Sequence, residues 1–210
     1  MDLSKVDLSE LNVENLNLTS YEEDGRVKYG KFTEDNRPLI IYDPYVDVNG
    51  ENDFKYLFIY DYDNQKRLIK RNILYSWAWI FKGWASHSYI TYKYLGDNPN
   101  PTQVNLSNGF WVSNQYDKNG NLTQSVTSEG ATLLQLWDED GYLMNKFFKI
   151  KVGEEYFEYK YTFGIDKTEF IQYEDSFGNF WDVSNGYPCP YENPVKVYDK
   201  GFLDDNYLYN

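Results

Sequence analysis

Residues 147–163 read Phe147-Phe148-Lys149-Ile150-Lys151-Val152-Gly153-Glu154-Glu155-Tyr156-Phe157-Glu158-Tyr159-Lys160-Tyr161-Thr162-Phe163. Before Gly153, the apolar Phe148, Ile150 and Val152 alternate with Phe147, Lys149 and Lys151. After it, Phe157, Tyr159, Tyr161 and Phe163 alternate with Glu158, Lys160 and Thr162. A period of two puts successive side chains on opposite faces of a strand. The stretch therefore predicts a hairpin that turns at Gly153. One face is apolar and belongs to a core. The other carries Lys149, Lys151, Glu158 and Lys160, placed where cross-strand ion pairs form.

A second hairpin lies upstream. Tyr75, Trp77, Trp79 and Phe81 alternate with Ser76, Ala78 and Ile80, and Lys82-Gly83 turns the chain. Ile90, Tyr92 and Tyr94 then alternate with Tyr89, Thr91 and Lys93. One face of the first strand is wholly aromatic, the other small, and the aromatic face is expected in the core because those rings are too apolar to expose together. Turn signals punctuate the rest: Glu23-Asp24-Gly25, Val48-Asn49-Gly50, Tyr62-Asp63-Asn64, Lys118-Asn119-Gly120, Glu139-Asp140-Gly141, Val152-Gly153-Glu154, Ser176-Phe177-Gly178 and Asp199-Lys200-Gly201. Asn-Gly and Asp-Gly supply the positive φ that tight hairpins demand. Residues 95–109, with Pro99 and Pro101, read as the longest loop and not as a central strand. Residues 184–196 form a second irregular segment, with three prolines.

These signals predict an all-β fold: a single antiparallel meander over residues 21–210 that forms a barrel or a strongly curved sheet. The alternative is a two-sheet β-sandwich. Aromatic residues make up 20% of the 210-residue chain, which suits pleated, half-buried surfaces and excludes intrinsic disorder. Residues 1–20 differ and are expected to form a short N-terminal appendage. Asp or Asn recurs at 2, 7, 12 and 17, each followed by an aliphatic residue. This stretch, residues 2–20, resembles the pentapeptide repeat, which implies one coil of a β-solenoid. The other reading, and the favoured one, is an amphipathic lead-in, helix or loop, packed on the main domain.

An aromatic-acidic-turn form recurs at Tyr21–Gly25, Tyr42-Asp43, Tyr62-Asp63-Asn64, Tyr116–Gly120, Trp137–Gly141, Tyr173–Gly178 and Tyr198–Gly201. In this it resembles the YD-type and YwqK/MORN-like repeats of bacterial proteins. That resemblance implies hairpin units in an open β-meander, and relatives among antitoxins, immunity-like proteins and surface proteins.

The formal net charge is −13, which favours solubility and opposes binding to bare phosphate backbones, so nucleic acid is not an expected partner. The charge is uneven. Residues 65–99 hold six basic groups, Lys66, Arg67, Lys70, Arg71, Lys82 and Lys93, against only Asp97. This island reads as a cationic hairpin paired with acidic neighbours. Residues 2–7 lack the apolar run of a signal peptide, and no stretch is long enough to cross a membrane. The expected location is cytoplasmic, export of a trimmed chain remaining open.

Catalytic groups are scarce. Cys189 and His87 are the only cysteine and histidine. No disulfide within the chain and no zinc site of the usual kind can be built from them, and Cys189, set between Pro188 and Pro190, reads as structural. A Ser–His–Asp triad could use only His87, flanked by Ser86 and Ser88 without a nucleophile-elbow pattern. EF-hand alignments on Gly50 and Gly120 fail at the first and last ligands. No phosphate-binding glycine loop occurs. Metal and cofactor are therefore expected to be none. A pair of carboxylates, as in glycosidases, stays open because such pairs meet in space and not in sequence.

The leading expectation is a non-enzymatic acidic binding protein that occludes a basic protein partner, as immunity proteins, antitoxins and inhibitors do. The alternative is a small-ligand or glycan-binding β module of a cell or virion surface, with Trp77, Trp79, Trp84 and Trp111 as the stacking residues. The second alternative is a glycoside hydrolase using an acidic pair. Edge strands offer a route to a homodimer.

Overall fold

A computed structural model describes residues 8–23, 25–45, 54–77, 84–152, 154–164 and 170–182. Its strands are β1 (Thr19–Glu23), β2 (Arg26–Phe32), β3 (Pro38–Tyr45), β4 (Phe54–Tyr62), β5 (Leu68–Trp77), β6 (Ser86–Lys93), β7 (Gln103–Leu106), β8 (Trp111–Tyr116), β9 (Leu122–Thr127), β10 (Thr132–Trp137), β11 (Leu143–Val152), β12 (Glu155–Phe163), β13 (Phe170–Asp175) and β14 (Phe180–Asp182). They form one antiparallel sheet whose order follows the chain, β1 through β14. The all-β meander is as the alternation requires.

Among the described residues β1 pairs only with β2 and β14 only with β13, so the sheet does not close into a barrel, nor do its strands divide into the two sheets of a sandwich. Closure is one way to remove sheet edges; short and charged edge strands are another. Here β14 is three residues long, and β1 is five residues long and exposes Glu22 and Glu23.

The chain divides into two compact units, Met1–Tyr92 with Leu106–Asn108, and Lys93–Asn105 with Gly109–Asn210. In the first unit, Leu57 on β4 stands opposite Tyr42 on β3 and Leu74 on β5. Leu57, Leu74, Ile40 and Ile59 are buried together with Leu11 and Leu16. Residues 8–18 therefore cover this sheet face. They do so in two 3-10 turns, Leu8–Glu10 and Val13–Leu16, and not in the strands of a solenoid coil. Asn12 caps the second turn by accepting the Glu14 N–H at 3.0 Å, and Asn17 ends it in the left-handed region.

Of the expected aromatic face of β5 only Tyr75 has a described side chain, and burial is deeper on the other face. Leu74 and Ser76 are fully buried whereas Tyr75 is only half-buried. The small face is the one that carries Leu74 into the cluster with Leu11 and Leu16, which leaves the Tyr75 ring to pack against Phe54 and Tyr56 on the other side. The rest of the expected aromatic row, with the turn at Lys82-Gly83, lies outside the described residues, as do Cys189, residues 184–196 and the turn signals at Asn49-Gly50, Gly153 and Asp199–Gly201.

The second unit buries one face from β8 to β14. Val112, Leu133, Phe148, Tyr161, Tyr173 and Trp181 form one cluster. The hairpin at 147–163 has the expected sides. Phe148 opposes Tyr159 and Ile150 opposes Phe157 on the core side, and Lys149 opposes Glu158 on the other. The Lys149 ammonium meets the Glu158 carboxylate at 2.6 Å. One expectation is corrected upstream. Gln103–Leu106 is strand β7, with Val104 buried, inside the segment read as a loop. Both prolines precede this four-residue strand, so neither removes one of its ladder donors.

Candidate functional site

The acidic turns share one capped geometry. Asp117 Oδ1 accepts the N–H groups of Asn119 at 2.8 Å and Asn121 at 2.9 Å. Asp138 does the same for Asp140 and Tyr142, Asp63 for Gln65 and Arg67, and Asp175 for Phe177 and Asn179. In each turn the fourth residue has positive φ: Gly120, Gly141, Lys66 and Gly178. Two further turns, Thr33–Arg37 and Thr127–Ala131, use a threonine hydroxyl to accept the fifth residue's N–H, with Asn36 and Gly130 at the positive-φ position. The sequence reading missed these two. Thr-x-x-Asn and Thr-x-x-Gly are their signal. Tyr42-Asp43, by contrast, is no turn. Asp43 lies buried within β3, opposite Tyr56, with Arg26 and Lys28 each 3.5 Å away.

This use of carboxylates shapes their acidity. Desolvation is the largest single influence on Asp63, Asp117 and Asp175 and raises their pKa, but the hydrogen bonds together outweigh it and all three are lowered. The donors are Arg67 and Gln65, then Asn121, Asn119 and Gly120, then Tyr173, Asn179 and Phe177. Asp35 is lowered furthest, by hydrogen bonds from Lys66, Thr33 and Arg37. A glycosidase general acid needs the opposite shift.

His87 sits on β6 with Nε2 3.2 Å from Asn72 Oδ1. Burial and the Lys70 charge lower its pKa. Ser86 and Ser88 are its strand neighbours, so their side chains point to the opposite face and neither can share a triad with it. Among the described residues no group of three or more His, Cys, Asp or Glu side chains could hold a metal ion.

Three members of the basic island have partners, and Lys82 lies outside the described residues. Lys66 reaches Asp35 at 2.8 Å, Arg67 reaches Asp63 at 2.8 Å, and Lys70 lies 5.0 Å from the Tyr89 ring centre. Of the tryptophan candidates, Trp84 donates its indole N–H to the Leu11 carbonyl at 3.1 Å and takes the Lys55 ammonium on its ring at 5.0 Å. It fastens the N-terminal segment to the first unit. Trp111 is on β8 in the second unit, exposed and tied to Ser128 through its backbone. Trp79 lies outside the described residues, and of Trp77 only the backbone, at the end of β5, lies within them.

A cavity of about 510 Å³ opens on the outward face of β10–β13, lined by Leu134, Phe147, Lys149, Glu158, Lys160 and Glu174 among others. The sequence did not single it out as a site, because its lining comes from four strands. Its one sequence signal is spacing: Leu134, Phe147, Lys160 and Glu174 fall 13, 13 and 14 residues apart and stand opposite one another across the ladder.

No protein-family model and no curated protein matches this chain. Among solved structures, it is similar to a chain in "Crystal Structure of TcdB2-TccC3-Cdc42", at TM-score 0.27 and 12% identity, covering 79% of this chain and 12% of that one. It is similar also to a chain in "Crystal Structure of TcdB2-TccC3-TEV", at TM-score 0.27 and 12% identity, covering 77% and 11%. The chain thus spans about an eighth of the length of those chains or less. At that TM-score the likeness carries no conclusion about fold or function.

Proposed function

We propose that this protein is a non-enzymatic binding protein whose acidic turns engage and occlude a basic protein partner. One observation carries the reading. In an antiparallel meander, alternate turns fall at the same end of the sheet. In the second unit this collects Asp97, between β6 and β7, with Asp117, between β8 and β9, and Asp138, Glu139 and Asp140, between β10 and β11. The first two turns touch: Asn100 Nδ2 donates to the Gly120 carbonyl at 3.2 Å. Lys118 is the only basic side chain in these three turns. Such an end presents a one-sign field that speeds encounter with a basic partner.

Two features support a binding role. Asp63, Asp117 and Asp175 are held low by turn hydrogen bonds, which suits fixed charge better than proton transfer. The recurrence of one capped turn agrees with a hairpin-repeat array, whose exposed turns vary without disturbing the ladder.

The test is salt-dependent capture of basic proteins, followed by charge reversal. Glu139→Lys with Asp140→Lys leaves the Asp138 cap in place. It should slow association at low salt by about tenfold or more and matter little at 0.5 M salt, on the order of a 4 Å Debye length. The reading fails if no basic protein forms a salt-sensitive complex, or if the reversed variant binds as fast as the parent.

A further inference from the structure

The cavity on the outward face of β10–β13 is independent of the acidic turns. Two rows of facing residues cross it. In one, Leu134 faces Phe147, Phe147 faces Lys160, and Lys160 faces Glu174. In the other, Thr132 faces Lys149 and Lys149 faces Glu158. Ser176 completes the second row, its Oγ accepting the Glu158 N–H at 3.1 Å.

The cavity is divided. On the β10–β11 side, Leu134 is 41% exposed beside the half-buried Phe147 ring. On the β11–β13 side, Lys149 and Lys160 supply donors, and Glu158 and Glu174 supply acceptors. Asp175 lines the rim, but both its oxygens already accept hydrogen bonds, from Phe177, Asn179 and Tyr173. Two ammonium groups thus stand among three carboxylates; Lys149 pairs with Glu158, Asp175 is engaged by its own turn, and the Lys160 ammonium lies 5.8 Å from the centre of the Phe147 ring.

That mixture of donors and acceptors selects a ligand. An anion would meet the three carboxylates of the lining, and a cation would compete with Lys149, already 2.6 Å from Glu158, and with Lys160. A neutral polyhydroxy molecule disturbs neither, because each hydroxyl both donates and accepts. It also has a C–H face to lay on Leu134 and Phe147. The volume of about 510 Å³ lies within the range of about 300–1,000 Å³ typical of small-ligand sites. We infer that this cavity binds an uncharged saccharide, its C–H face on Leu134 and the Phe147 ring and its hydroxyls among Lys149, Glu158, Lys160 and Glu174. The tryptophans take no part.

The test is amide NMR of the full chain titrated with maltose, cellobiose, lactose and N,N′-diacetylchitobiose, beside glucuronate and glucosamine as charged controls. At least one neutral disaccharide should shift resonances of residues 132–134, 147–149, 158–160 and 174–176 with millimolar affinity. Phe147→Leu keeps apolar volume but removes the ring. It should weaken binding by about five- to tenfold, a factor of ten being 1.4 kcal/mol, while Trp111→Ala changes nothing. The inference is overturned if none of the four moves those resonances, if a charged control binds more tightly, if Phe147→Leu binds as well as the parent, or if the shifts centre on Trp111. None of these results bears on capture of a basic protein, so the two readings stand or fall separately.

Discussion

Asp35 and Lys66 lie 31 residues apart and meet at 2.8 Å, joining the tips of two adjacent turns in the first unit. Arg37 strengthens the same junction. Its guanidinium bonds Asp35, donates to the Lys66 carbonyl and covers the Tyr62 ring at 4.5 Å. Tyr62 in turn donates its hydroxyl to the Pro38 carbonyl at 2.8 Å. A cap, an ion pair and a stacked ring thus hold the β2–β3 and β4–β5 turns in one arrangement.

The junction makes stability depend on acid. Hydrogen bonds from Lys66, Thr33 and Arg37 hold the Asp35 carboxyl below its unfolded value of about 3.9. A depressed carboxyl stabilises the fold above the unfolded pKa, and the contribution is lost as pH falls through the folded one. Asp35→Asn should therefore unfold at lower temperature than the parent at pH 7. The gap should shrink steadily below about pH 4, and salt should narrow it because the site is open to solvent. Thermal melts across pH 2–7 decide it; a gap that persists unchanged at the acid end would exclude this account.

The turns separate cap from backbone strain. Asp117→Ala removes the acceptor of two N–H groups and should cost about 0.5–2 kcal/mol, by analogy with helix caps. Gly120→Ala tests the other half. Gly120 has φ +87°, and an added Cβ would find only Asn100 Nδ2, at 3.8 Å. Space is ample, so the expected loss of about 1–2 kcal/mol is conformational. Asn36, at φ 62° in the equivalent position, should respond in the opposite sense, Asn36→Gly gaining up to about 1 kcal/mol. Urea unfolding of the three variants measures all of this.

Leu16 is 3% exposed in the cluster with Leu57 and Leu74, and Trp84 grips the same segment through the Leu11 carbonyl. Leu16→Ala should cost about 2–5 kcal/mol. If residues 8–18 are integral to the first unit, the loss appears in the main unfolding transition and the tryptophan emission shifts. A separate early transition with unchanged emission would make them a detachable appendage.

How far the sequence revealed all this follows from its chemistry. Alternation over 147–163 gave strand and faces together, because a one-residue slip would turn either Lys149 or Glu158 into the core. The Asp-x-x-Gly turns at 117, 138 and 175 were readable because glycine marks positive φ. Thr33–Arg37 was not, since Asn36 takes that role without glycine. Alternation also did not foresee how deeply the small face of β5 is buried at Leu74 and Ser76. Tyr75 outranks Ser76 in hydrophobicity, but Leu11 and Leu16, sixty residues upstream, decide which face is covered. Burial by a distant segment leaves no local mark. The cavity lining is hidden for the same reason, its four residues meeting only through register.

Asn114 and Ser125 carry the sharpest test of the second unit's core. They stand opposite each other on β8 and β9, both buried on the face that holds Val112 and Leu133. Ser125 Oγ donates to Asn114 Oδ1 at 2.8 Å, and Asn114 Nδ2 donates to the Pro101 carbonyl at 3.2 Å. Ser125→Ala removes little volume but strips Asn114 Oδ1 of its donor, where water has little access. The cost should be about 1–3 kcal/mol, the penalty for an unsatisfied buried acceptor, and more than a lone exposed hydroxyl would give. Asn114→Val alone should also destabilise, because it leaves the Ser125 hydroxyl without its acceptor and the Pro101 carbonyl with the Tyr116 hydroxyl alone. Combined with Ser125→Ala it abolishes the mismatch between the strands. The double variant should therefore be less destabilised than the sum of the two single ones, with a coupling of about 0.5–3 kcal/mol. Additive losses would mean that the two side chains are satisfied independently, and that the polar pair does not act as one unit in fixing the register of β8 on β9.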